Sequence, residues 1–69
     1  MPYVLVMTAK QYRAAIAALG MSQVKAGHFL GVLPRTSRRW ALDENPIPEV
    51  VGKLLRLMVK LKIKPEEVT

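Results

Sequence analysis

Residues 23–42 read QVKAGHFLGVLPRTSRRWAL, and this stretch decides the fold. Ser22, just before it, suits a helix N-cap, where a side-chain oxygen takes a backbone N–H of the first turn. A helix is expected from about Gln23 to Leu30, with Ala26, Gly27 and Leu30 on its apolar face. Gly31 ends it in a turn where φ is expected to be positive. Val32 and Leu33 cross the turn. Pro34 fits the first turn of the next helix, because its ring presets φ and it lacks an N–H that would go unpaired there. That helix is expected to run to about Leu42. Where two helices cross closely only a small side chain fits, which marks Gly27 as the crossing point. Ala26, Leu30, Val32 and Trp40 are spaced to seal the angle between them.

This is the layout of a helix-turn-helix, in which the second helix is pushed outward and can enter a groove about 12 Å wide. At about 100° per residue, Ser37, Trp40, Ala41 and Glu44 share one face of that helix. Arg35, Arg38, Arg39 and Leu42 lie opposite. Arginine suits a base-reading role, because its planar fork can bond guanine O6 and N7 together and can also hold phosphate. Arg35, Arg38 and Arg39 are therefore the candidate base contacts.

The charge supports a polyanionic partner. Residues 1–42 contain Lys10, Arg13, Lys25, Arg35, Arg38 and Arg39 and no acid, whereas residues 43–69 balance five bases against Asp43, Glu44, Glu49, Glu66 and Glu67. The whole net charge of +6 thus falls in the first segment, as a footprint for nucleic acid does. A solvated basic face without a ligand is the plainer alternative.

Working outward, Tyr3–Met7 is rich in β-branched and aromatic residues and reads as an extended arm over residues 1–7. It either pairs with a second copy as a two-stranded ribbon or frays. Thr8 and Gln11 fit a capping box. Tyr12, Ala15, Ile16 and Leu19 then share a helical face, with Lys10, Arg13 and Ala17 turned away, and Gly20 supplies a left-handed stop. Asp43-Glu44-Asn45-Pro46 reads as a loop. Pro48 opens a further helix, whose Glu49 suits the positive end of the dipole. Val50, Val51, Leu54, Leu55, Leu57, Met58 and Leu61 give that helix a broad apolar face, and Lys53, Arg56 and Lys60 mark its wet side. The aliphatic surface exceeds what three short helices can cover, so part of it is expected to form a dimer seam. Pro65–Val68 resembles the start of a fifth helix. Residues 8–69 read as one all-α domain of four to five short helices.

Several function classes are set aside. With 69 residues and no cysteine, the chain offers neither disulfides nor thiolate metal sites. His28 alone cannot form a zinc site and reads as an exposed helix residue. No cofactor or metal is expected. No nucleophile–base pair is visible, so no enzyme is expected. No apolar run reaches the roughly 18 residues of a membrane span, and the N-terminus lacks a signal peptide's basic region. A cytoplasmic protein is expected.

From Thr8 to Leu61 the chain resembles the Cro/repressor-type (XRE-like, lambda-repressor-like) helix-turn-helix domains. Met21-Ser22-Gln23, Gly27, Leu30-Gly31-Val32 and Arg35-Thr36 through Arg38-Arg39-Trp40 carry the resemblance. It implies that Gln23 and Thr36 touch backbone phosphates, and that Arg35 and Arg39 meet base edges with Arg38 beside them. Ser22 and Lys25 are further candidate phosphate contacts. Ala26, Gly27, Leu30, Gly31, Val32, Ser37 and Trp40 would form the motif's core. Two departures stand out. Leu33 and Pro34 replace a capping Ser or Thr and a polar base-reading residue. Ser37 replaces a buried Val or Ile. Its hydroxyl is expected to bond back to the Leu33 carbonyl, so Ser37→Val is expected to stabilise.

These readings point to a sequence-specific regulator of transcription, binding double-stranded DNA as a homodimer on a palindrome. The alternatives are an antitoxin or phage accessory regulator that also binds a protein, and a pure protein-interaction module.

Overall fold

Two of the helices start where a side chain takes up an orphan N–H, and every α-helix among the described residues stops at a left-handed residue. The computed structural model describes residues 7–68. Within them lie α1 (Ala9–Ala18), α2 (Gln23–Leu30), α3 (Pro34–Ala41) and α4 (Glu49–Leu61), then a short 3-10 turn at Pro65–Glu67, and no strand. The all-α expectation holds. The expected fifth helix is a single 3-10 turn. The expected arm lies outside the described residues except for Met7, which is buried where Gly52 of α4 leaves room, 3.2 Å from a would-be Cβ.

The N-termini follow the sequence. Thr8 Oγ1 accepts the Gln11 N–H at 3.1 Å and Gln11 Oε1 accepts the Thr8 N–H at 3.0 Å. Ser22 Oγ accepts the Lys25 N–H at 3.1 Å. Leu33 gives α3 no side-chain cap, and Pro34 occupies its first turn.

All four α-helices end in the same pattern, a left-handed residue followed by an N–H that reaches back five residues. The left-handed residues are Gly20, Gly31, Asp43 and Lys62. The bonds run from Met21 to Ile16, Val32 to Gly27, Glu44 to Arg39 and Ile63 to Met58, at 2.8–2.9 Å. Lys62 holds φ of 57°, where an L side chain costs about 1–2 kcal/mol. Lys62→Gly is therefore expected to stabilise by about 1 kcal/mol after the glycine's extra chain entropy. A thermal melt should show Tm rising by about 4–8 °C for a domain this small, and a fall would contradict this end geometry.

The core gathers Tyr12 and Ile16 of α1, Trp40 and Ala41 of α3, Leu55 and Met58 of α4, and Ile47 of the loop between α3 and α4, all under 6% exposed. Tyr12 and Trp40 meet edge to face, with centroids 5.8 Å apart and planes at 85°, a favoured aromatic arrangement. The apolar arc of α4 splits. Leu55 and Met58 face inward, while Val50, Leu57 and Leu61 are 75%, 50% and 57% exposed. Lys53 and Lys60 are exposed as expected, and Arg56 is half-buried. No helix among the described residues is long and apolar enough to cross a membrane.

Candidate nucleic-acid interface

The site is set by how α3 is held, and α2 is its closest neighbour. Gly31, with φ of 76°, turns the chain between them. A Cβ on Gly27 would stand 3.2 Å from Pro34 Cα, 3.3 Å from the Leu33 carbonyl oxygen and 3.3 Å from Ser37 Cβ. Glycine at 27 thus permits the start of α3 to lie directly against α2. Around this contact Ala26, Gly27, Ser37 and Trp40 are buried and Leu30 and Val32 half-buried. Gly31 is exposed, so it shapes the turn and does not line the core.

Two polar contacts tie α3 to α1, and the sequence reading missed both. The expected bond from the Ser37 hydroxyl back to the Leu33 carbonyl is replaced by one to the Tyr12 hydroxyl. Ser37 is 0% exposed, as is Tyr12. The Leu33 carbonyl is already occupied by the N–H groups of Thr36 at 2.9 Å and Ser37 at 3.3 Å. A buried hydroxyl pair satisfies both partners, and loss of either leaves the other costly. Second, Arg13, expected to turn away, donates from Nη1 to the Ala41 carbonyl at the end of α3. There its charge also complements the negative end of the helix dipole.

Burial holds the Tyr12 hydroxyl above its ordinary pKa of 10.0, with the Ser37 hydrogen bond opposing in part. The folded state therefore keeps a proton that the unfolded state loses. The sign follows: this stability is intact below about pH 10 and is lost as pH rises through the folded value. Tyr12→Phe is expected to flatten the alkaline limb of a stability–pH curve, and an unchanged limb would contradict the assignment.

With one face pinned, the other is open. Arg35, Arg38, Arg39 and Leu42 are exposed, whereas Ser37, Trp40 and Ala41 are buried, which is the division expected. Glu44, expected on the inward face, is exposed beyond the end of α3. None of the three guanidiniums has an ion pair or hydrogen bond among the described residues. They form a cationic strip on a helix whose backbone is fixed from behind at Gly27, Ser37 and Ala41. No family model, curated protein or solved structure matches the chain.

The other candidates sit less uniformly. Thr36 is half-buried in the first turn of α3, and Gln23 half-buried at the start of α2. Ser22 is exposed, with its oxygen engaged as a cap and its O–H free to donate. Lys25 is exposed and lines an open groove with His28, Phe29, Lys62 and Lys64, between α2 and the segment after α4.

Proposed function

We propose that the chain is a cytoplasmic, sequence-specific double-stranded-DNA-binding regulator that uses α3 as its reading helix and needs no cofactor. The observation that carries this reading is the strip of Arg35, Arg38 and Arg39, exposed on α3 without partners among the described residues, while the opposite face is sealed by Ser37, Trp40 and Ala41. Four features favour an unpaired cationic helix as a DNA reader over a solvated surface. No acid lies in residues 1–42. The guanidinium fork matches guanine's paired acceptors. A short helix held rigidly from behind loses little entropy on docking. Thr36, Gln23, Ser22 and Lys25 supply polar groups near the same two helices for phosphates, as the resemblance to Cro/repressor-type domains implies. Two copies on a palindrome would set their reading helices about 34 Å apart. Regulation would be steric, by occupation of the site.

A mobility-shift titration over a series of salt concentrations tests it. If each protomer neutralises four or five phosphates, log affinity should fall against log salt with a slope of roughly −0.9 per phosphate. Lys25→Ala should lower that slope by about one phosphate per protomer. Absence of any salt-dependent complex with a pool of duplexes would defeat the proposal. The exposed aliphatics of α4 favour one companion reading, a regulator that also binds a protein as an antitoxin or a phage accessory factor does. A polypeptide that co-purifies in fixed ratio would support it.

A further inference from the structure

Val50, Leu54, Leu57 and Leu61 follow one another along α4 at spacings of four, three and four, the rhythm that keeps a stripe on one side of a helix pair. Leu55 and Met58, on the neighbouring side, are already in the core. Among the described residues the stripe is a second apolar face, with Val50, Leu57 and Leu61 exposed and Leu54 half-buried. Its three outermost members are 75%, 50% and 57% exposed, large aliphatics set side by side along one helix and not scattered singly.

We infer that this stripe is covered by the α4 of a second copy, running antiparallel. The inference deepens the dimeric part of the function proposed above and rests on that part alone. Two properties select this occupant. The first is self-complementarity. If two α4 helices cross midway between Leu54 and Leu57, Val50 meets the partner's Leu61 and Leu54 meets the partner's Leu57, so each large residue has a counterpart. The second is charge. The only acid of α4 is Glu49 in its first turn, beside Lys53 at 3.5 Å, while Lys60 stands in its last turn. A parallel pair would set Glu49 beside Glu49 and Lys60 beside Lys60. The antiparallel pair sets Glu49 beside the partner's Lys60 twice over, and it also opposes the two helix dipoles favourably. The seam is small beside the roughly 800 Å² per partner of a stable interface. The dimer is accordingly weak and concentration-dependent until a shared ligand holds both copies.

The absence of cysteine gives a clean background for cross-linking. Val50→Cys and Leu61→Cys are prepared separately, then oxidised alone and mixed, without DNA. The mixture should yield the cross-linked dimer, and each variant alone should remain largely uncross-linked. Sedimentation of the unmodified chain should show a monomer–dimer equilibrium. Leu57→Glu should be monomeric with unchanged helical circular dichroism, since Leu57 is exposed in the monomer. Val24→Glu, on a residue 54% exposed in α2, should dimerise normally. A strict monomer up to millimolar concentration overturns the inference and leaves the stripe to a different protein. Cross-linking of each variant with itself in preference to the mixture overturns the antiparallel geometry. A dimer that binds no duplex would sink the DNA reading alone, and duplex binding by a strict monomer would sink this one alone.

Discussion

Ser37→Val is expected to destabilise the chain by about 2 kcal/mol, the cost of stranding a buried polar group. This reverses the sign expected from the residue type. Valine is the better match to an apolar site, and a helix-facing position would normally gain from it. Here the Ser37 hydroxyl is the partner of the buried Tyr12 hydroxyl, and among the described residues no buried side-chain nitrogen or oxygen lacks a partner. Valine would leave the tyrosine O–H without an acceptor, in a region closed to water. In a domain of this size the loss lowers Tm by on the order of 10 °C. The double-mutant cycle sharpens the expectation. Tyr12→Phe should also destabilise, because it leaves the buried Ser37 hydroxyl without its partner. The combination Tyr12→Phe with Ser37→Val should recover much of the loss, since replacing both partners by apolar groups can be nearly neutral. Additive losses would show that the two hydroxyls do not act as a pair.

The second large effect is expected at Gly27. Alanine there trades a close contact against the helix propensity it gains over glycine, about 1 kcal/mol, so Gly27→Ala should lie near neutral. Gly27→Val should not. The atoms met at 3.2–3.3 Å include Pro34 Cα and the Leu33 carbonyl oxygen, which are backbone and cannot rotate aside. A branched side chain must therefore push α3 off α2. Overpacking of this kind costs about 3 kcal/mol at its upper range, much of the stability of so small a domain. Where the variant still folds, the arginine strip is displaced with α3, so duplex binding should weaken even at temperatures where circular dichroism shows intact helices. A Gly27→Val protein with unchanged melting would contradict the close crossing.

These two sites mark the boundary between what the sequence states and what only packing states. Gly31, Ser22, Thr8 with Gln11 and Pro34 were legible because each answers a local demand, such as a cap, a left-handed turn or a first-turn ring, and Gly27 because a glycine in mid-helix marks a close crossing. The open and closed faces of α3 were legible for a similar reason, since 100° per residue separates Trp40 and Ala41 from Arg35 and Arg39 without reference to any neighbour. The Tyr12–Ser37 pair was not, because 25 positions separate its members and no periodicity encodes a tertiary hydroxyl contact. Arg13 was misplaced for the same reason. Its long side chain reaches a carbonyl that helix geometry alone puts nowhere near it. The end of α3 was legible in the loop composition of residues 43–46, but the left-handed conformation of Asp43 and Lys62 was not, because the usual glycine is missing. On α4 the apolar arc is wider than one neighbour can cover, so composition could not divide core from exposed stripe.

The central claim is that the arginine face of α3 reads base sequence, and selection of bound duplexes from a random pool tests it most directly when run in parallel on the parent chain and on Arg35→Ala and Arg39→Ala. The parent should enrich a palindrome, and each variant should relax preference at its own position in both half-sites while keeping the rest, with a loss of roughly 1–3 kcal/mol of discrimination there. No enrichment by the parent, or the same preferred sequence from all three proteins, would contradict the assignment of α3 as the reading helix.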